Sequence, residues 1–155
     1  MFSKRVNGTS KSRLLFLFAM IYLAGCGNWE GPPTTETSSS KFNTLSEKVA
    51  FLEQYVKFRR TYQELDFVIT YRNNSYGLVP GPSDWDIRIV ARVRSADLAQ
   101  WTEGLEATAS PDVDWLEALP GRIDHTGVSA WFQSGKRLVG VDKRNAIIVY
   151  RNSSM

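Results

Sequence analysis

LDFVITYR at residues 65–72 and WDIRIVARV at residues 85–93 are the stretches that decide the fold. Apolar side chains fill alternate positions in both, a period of two that is typical of a strand with one buried face. The segment 73–84 between them is rich in Gly, Pro, Asn and Ser, which favour turns. We therefore predict two neighbouring strands joined by a long turn-forming loop.

A helix is predicted immediately before the first strand. Thr44-Leu45-Ser46-Glu47 has the pattern of a capping box, in which Thr44 and Glu47 satisfy the first backbone N–H groups. Apolar residues then recur at helical spacing in two stripes, Leu45, Val49, Leu52, Val56 and Phe51, Tyr55, Phe58, Tyr62. A face this broad suits a helix that lies across a sheet. We expect it to run from about Leu45 to Tyr62.

The remaining chain predicts two short helices and three more strands. Ser95 can cap a helix through Leu105, and a second short helix is expected at 112–119. The strands are expected at 130–133, 137–141 and 146–150, separated by turn sequences. The fold class is therefore α+β: one antiparallel sheet of about five strands, a long N-terminal helix packed on it, and two short helices between the strand pairs.

The first 25 residues have the layout of a secretory signal peptide. Four basic side chains and no acidic one precede an apolar run at 14–22, which is too short for a membrane span. The run is followed by Leu23-Ala24-Gly25-Cys26, in which the small residues Ala24 and Gly25 precede the cysteine. We predict that residues 1–25 are removed.

Leu23, Ala24, Gly25 and Cys26 resemble the lipobox of bacterial lipoproteins. The resemblance implies a diacylglycerol thioether on Cys26, cleavage between Gly25 and Cys26, and a membrane as partner through that lipid anchor. Position 27 is Gly rather than the Asp that resembles an inner-membrane retention signal in enteric bacteria. The expected location is the cell envelope, with the outer membrane, facing the periplasm, favoured over the inner membrane.

Composition narrows the function classes. Loss of residues 1–25 takes four of the 19 basic side chains and leaves 15 against 16 acidic ones, a formal charge of −1. This balance gives no reason to expect nucleic acid as a partner. Cys26 is the single cysteine, so its lipidation leaves no thiol for a disulfide.

Composition also divides the exported chain. Residues 26–42, which begin at the lipidated Cys26, are dominated by Ser, Thr, Pro and Gly and read as a flexible tether. Residues 43–152 are predicted to form a single α+β domain.

Catalytic and metal sites are not predicted. His125 is the single histidine, in an expected loop beside Asp124, and no nucleophile elbow is present. The histidine and cysteine counts and the absence of a calcium-loop pattern argue against a metal site. A carboxylate-dependent envelope hydrolase stays open as an alternative. Its available carboxylates are Glu64, Asp66, Asp84, Asp86, Asp112, Asp114, Glu117 and Asp124.

The loop between the first two strands is the expected recognition element. Pro80-Gly81 suits a type II turn, and Pro82 stiffens the loop further. Rigid loops that carry apolar side chains can form preorganised binding surfaces. The candidate residues are Tyr76, Leu78, Val79, Pro80 and Trp85. The alternative is a crossover that covers the end of the core.

The arginines that alternate with apolar residues on the second strand allow two interpretations. Arg88, Arg92 and Arg94 are expected on its solvent side, where they could bind anions or pair with carboxylates and protect an edge.

Together these features predict a membrane-anchored envelope lipoprotein with a non-catalytic binding domain, an envelope protein as partner, and no cofactor besides the lipid on Cys26. An immunity or inhibitor protein against an envelope-acting enzyme is the first alternative.

Overall fold

The computed structural model describes residues 34–75, 81–109 and 111–154. Within them the chain forms one antiparallel sheet with strand order β1-β2-β3-β7-β6-β5-β4. The strands are β1 (Thr34–Ser38), β2 (Glu64–Arg72), β3 (Asp84–Arg92), β4 (Glu106–Ala107), β5 (Ala130–Ser134), β6 (Arg137–Asp142) and β7 (Ile147–Ser153). The α-helices of this part are α1 (Leu45–Leu52) and α2 (Leu98–Thr102), and 3-10 turns cover Ser39–Lys41, Ser95–Asp97 and Asp114–Ala118.

The alternation in β2 and β3 sets the register of the central pair. Phe67 lies opposite Ile89, and Asp66 lies opposite Val90. Val90 in turn lies opposite Val149 on β7. Because successive side chains point to opposite faces of a strand, the odd-numbered and even-numbered residues of β3 serve two different cores.

The first core lies on the sheet face that carries Phe67 and Ile89. Helix α1 covers part of this face through Leu52, and Trp101 of α2 covers another part. Its buried members are Leu52, Val56, Tyr62, Leu65, Phe67, Ile69, Ile87, Ile89, Ala91, Val93, Trp101, Val139, Val141, Ile148 and Tyr150. This core is rich in aromatic side chains, which contribute large buried areas.

The second core lies on the opposite face. Trp115 and Leu119, from the segment between β4 and β5, cover Val90 and Val149 there. Gly140 on β6 is part of this arrangement. A Cβ at Gly140 would lie 2.7 Å from Cζ3 of Trp131 and 2.6 Å from Cγ1 of Val128. The close approach of these side chains to the strand therefore depends on glycine.

The predicted long N-terminal helix is wrong. Helix α1 begins at Leu45, with the capping box of Thr44 and Glu47 formed as expected, but it ends at Leu52. Val56 and Tyr62 still reach the first core from non-helical backbone. Leu45 and Tyr55 of the apolar pattern are exposed, and the other members are buried or half-buried. Irregular backbone buries such side chains as well as a helix does. The aromatic residues beyond Leu52 have only modest helix propensity, so the local preference for a helix there is weak.

The predicted sheet of about five strands is also wrong, because β1 and β4 extend it to seven within the described residues. The five expected strands are present with slightly different ends. Strand β1 lies inside the segment predicted as a tether, and it pairs with β2 from Thr34 opposite Arg72 to Ser38 opposite Val68. Its side chains are mostly exposed, so backbone pairing forms it and no apolar alternation reveals it.

Candidate functional site

A cavity of ≈ 200 Å³ lies beside the first core and is the candidate site. Four separate parts of the chain form it: the loop after α1, the end of α2, the first residue of β6, and β7. Its lining residues are Phe58, Arg60, Gln100, Trp101, Glu103, Arg137 and Tyr150.

Three aromatic rings form one wall of the cavity. The Phe58 and Trp101 centroids are 5.4 Å apart, and those of Phe58 and Tyr150 are also 5.4 Å apart. Trp101 and Tyr150 complete the triangle at 6.2 Å. All three pairs are close to perpendicular, with interplanar angles of 68° to 73°. Such edge-to-face pairs are each worth about 0.5–1.5 kcal/mol beyond burial, so the wall is rigid.

Arg60 is held against this wall. Its Nη1 donates to Oε1 of Gln100 at 2.9 Å, and its Nη2 donates to the Gln100 carbonyl at 2.8 Å. Its Cζ lies 5.7 Å from the centroid of Trp101 and 5.9 Å from that of Phe58, within the range of cation–π attraction. The guanidinium is therefore oriented before any ligand arrives.

Two buried donors in the lining have no acceptor among the described residues. They are Nε of Arg60 and Nε1 of Trp101, whose residue is only 6 % exposed. An unsatisfied buried donor costs about 1–3 kcal/mol, so such groups are uncommon in folded proteins. Both belong to side chains that line the same cavity, so an acceptor bound there would find two donors without a partner among the described residues.

Tyr150 adds a protonated hydroxyl to the lining. Burial raises the pKa of its phenol, and this effect outweighs the opposing influence of Asn152 and of the Arg137 charge. Tyr150 therefore keeps its proton at neutral pH. Arg137 is half-buried and forms no ion pair within residues 34–75, 81–109 and 111–154.

A larger cavity of ≈ 460 Å³ lies on the other side of α2. It is lined by Ser95, Leu98, Ala99, Thr102, Phe132, Val141 and Lys143. No lining side chain of this cavity is among the buried donors or acceptors without a partner. It has the apolar character of a binding pocket but offers few groups that would orient a ligand.

Asp86 is at the centre of an ion cluster on the second-core face. It is 2 % exposed and accepts hydrogen bonds from Arg88 at 2.7 Å and 2.9 Å and from Arg151 at 3.2 Å. Arg88 and Arg151 are register partners on β3 and β7, so the carboxylate separates two facing guanidinium groups. Arg92 and Arg94, the latter just beyond β3, are paired too, Arg92 with Glu64 and Arg94 with Asp97. These pairings favour the interpretation that Arg88, Arg92 and Arg94 bind carboxylates of the domain itself.

The recognition loop predicted at Tyr76, Leu78, Val79 and Pro80 lies outside the described residues. Trp85, the remaining member, is the second residue of β3 and packs against the first core. Its backbone N–H donates to Oγ of Ser154 at 2.8 Å. Trp85 therefore contributes to the sheet and to the packing of the first core.

The imidazole of His125 is hydrogen-bonded to the backbone of its own loop. Its Nδ1–H donates to the carbonyl of Ile123 at 3.1 Å. The neighbouring Asp124 accepts from the backbone and hydroxyl of Thr126, and these bonds hold the pKa of Asp124 below its usual value. Among the described residues, no hydrogen bond joins the Asp124 carboxylate to the imidazole.

The candidate carboxylates of a hydrolase are dispersed. Asp66 pairs with Lys48 at 2.7 Å, and Asp84 accepts from Asn74 at 2.9 Å. Asp112 lies 3.8 Å from Arg151. Among the hydrogen bonds and ion pairs of the described residues, two of these carboxylates share a partner: Arg151 contacts both Asp86 and Asp112. Asp66 and Asp84 have separate partners.

Two further properties concern the described part of the chain alone. It contains no group of three or more His, Cys, Asp and Glu side chains arranged to hold a metal ion. None of its helices has the length and apolar character needed to cross a bilayer.

No family model, curated protein or solved structure matches the chain. The candidate site therefore depends on its own geometry. Sequence reasoning assigned Trp101 to the core and gave Arg60 and Arg137 no role. The sequence contains no local signal for the cavity, because its residues are separated by as much as 92 positions, from Phe58 to Tyr150.

Proposed function

We propose that the chain is a cell-envelope lipoprotein, anchored through lipid on Cys26, whose folded domain is a non-catalytic binding module. The anchor and the binding role have separate support. Residues 1–33 lie outside the described part, so the anchor depends on the sequence pattern that ends in Leu23-Ala24-Gly25-Cys26.

One observation carries the binding role: the cavity beside Trp101 combines a rigid aromatic wall with buried donors that have no acceptor among the described residues. A fold retains such donors at a cost in stability, and binding of an acceptor would recover part of it. Preorganised donors and rings also lower the entropy lost on binding. An envelope protein remains the partner expected from the sequence.

The anchor is tested by metabolic labelling with palmitate in a bacterial host. We expect label in the wild-type chain and none in Cys26→Ser, with the mature wild-type chain starting at residue 26 by mass spectrometry. Label that persists in Cys26→Ser contradicts the anchor, because sulfur is the atom that accepts the diacylglycerol.

The outer-membrane location has its own matched variant. In an enteric host, Gly27→Asp should move the lipoprotein from the outer-membrane to the inner-membrane fraction on a density gradient. Wild-type protein in the inner-membrane fraction would contradict the proposed location and leave the lipid anchor intact.

A further inference from the structure

We propose that the Trp101 cavity, defined by the seven lining residues above, binds a small carboxylate that carries a ring. This inference rests on the binding role proposed above and does not depend on the lipid anchor. The ligand is a single small molecule, since the cavity of ≈ 200 Å³ is below the roughly 300–1,000 Å³ of sites for drug-sized ligands.

The donors of the cavity call for an acceptor-rich group. Arg60 uses two of its five N–H groups on Gln100, which leaves three, including the buried Nε–H. Trp101 adds Nε1–H, which has no acceptor, and Tyr150 adds a hydroxyl that stays protonated. An ionised carboxylate accepts only, through two oxygens with about four lone-pair positions. It matches this set of donors better than an alcohol or an amide does.

The charge of the lining also favours an anion. Arg60 and Arg137 are half-buried cations, whereas Glu103, the one carboxylate of the lining, is exposed. A charge near the low-dielectric interior acts more strongly on a bound ligand than one in water does. Charge-assisted hydrogen bonds from guanidinium to carboxylate are about twice as strong as neutral ones, so a neutral ligand would lose this contribution.

The aromatic wall accounts for the ring of the ligand. Phe58, Trp101 and Tyr150 present ring surfaces that pack against a flat or apolar body. An aromatic acid and a sugar acid share a carboxylate on a six-membered ring, and both fit this description. Separate probes distinguish them.

The test is isothermal titration of the full chain in detergent micelles with benzoate, and with benzamide as an uncharged analogue of the same shape. We expect benzoate to bind at least about tenfold more tightly than benzamide, a difference of about 1.4 kcal/mol. Glucuronate and glucose form a second matched pair. A preference for the acid in either pair supports the proposal and identifies the ring class.

Variants show whether the binding occurs in this cavity. Arg137→Met should weaken benzoate binding about tenfold, and Trp101→Phe, which removes one donor but keeps a ring, should weaken it about threefold to tenfold. Arg122→Met is the matched control, because Arg122 is exposed and precedes Ile123 of the second core. It should bind benzoate as the wild type does.

Three results would overturn the proposal: no saturable binding of either acid, equal affinity for acid and neutral analogue in both pairs, or wild-type affinity in folded Arg137→Met. Circular dichroism confirms the fold of each variant. None of these results affects palmitate labelling of Cys26, and loss of labelling does not alter the titration, so failure of the anchor and failure of the ligand class are distinguishable.

Discussion

The ammonium of Lys48 on helix α1 lies 2.7 Å from Oδ1 of Asp66 on strand β2, and the carboxylate is 1 % exposed. The same ammonium donates to the Leu65 carbonyl at 2.8 Å. Strand β1 ends opposite Val68, so Leu65 and Asp66 lie beyond the paired part of this edge. Lys48 thus binds the edge of β2 where the neighbouring strand has ended.

Lys48→Met should destabilise the fold by about 3–5 kcal/mol, because it leaves a buried carboxylate without its cation. The measurement is urea unfolding of the full chain. In the double variant Lys48→Met/Asp66→Asn the loss should be clearly smaller than the sum of the two single losses. Strict additivity would show that the pair does not couple α1 to β2.

Gly140→Ala should destabilise the domain by about 1–3 kcal/mol through overpacking of the second core. The added methyl group would lie within 2.7 Å of side-chain atoms of Val128, Trp131 and Val149. Gly121→Ala is the matched control, since no atom lies within 4 Å of a Cβ there. Thermal unfolding should separate the two variants, and an unchanged melting temperature in Gly140→Ala would mean that Trp131 does not pack on β6.

Thr44→Ala should cost about 1 kcal/mol of stability by removing the N-cap of α1. The Thr44 hydroxyl accepts from the Glu47 N–H at 3.2 Å, and Glu47 accepts in return from the Thr44 N–H at 3.0 Å. Ser46→Ala, at an exposed position of the same helix, is the control and should change stability little. Equal effects of the two substitutions in chemical denaturation would contradict a specific role for the cap.

Asp142 should contribute to the acid sensitivity of the fold. The side chain of Asn145 donates to its Oδ2 at 2.6 Å, and this bond, followed by backbone N–H groups of Asn145 and Arg144, holds the pKa of Asp142 below its usual value. A lowered pKa in the folded state means that the stabilisation is complete above the unfolded pKa of about 3.9 and is lost as the pH falls through the folded value.

Asp142→Asn should therefore flatten the melting temperature as a function of pH below about pH 4. At neutral pH the variant should be less stable than the wild type, and the two curves should converge in acid. Lys143→Met, at an exposed position in the same turn, should keep the wild-type slope. A variant curve parallel to that of the wild type down to about pH 2 would refute the contribution of Asp142.

The strands show why part of the fold was predictable. Each of β2 and β3 carries its own alternation, and a period of two depends only on neighbouring residues. The turn residues between β5, β6 and β7 are equally local, and these strands form where they are expected. Strand β4, with two exposed residues, carries no such signal and exists through its pairing with β5.

The helix prediction failed for a physical reason that Phe58 and Tyr62 illustrate. These residues are spaced as on a helix, yet the backbone there is not helical. Phe58 instead meets Trp101 and Tyr150, which come from distant parts of the chain. Tertiary burial overrides a weak local preference, and a sequence pattern cannot report contacts with partners it does not contain.

The sequence by itself determined the alternation of the central strands, the cap of α1, and the export pattern before Cys26 that motivates the proposed anchor. Only the tertiary structure decided that α1 ends at Leu52, that both faces of the sheet are covered, and that Arg60 and Arg137 line one cavity with Trp101. The first group depends on interactions within a few residues of the chain. The second depends on side chains from four segments, and their proximity is fixed by the packing of the whole sheet.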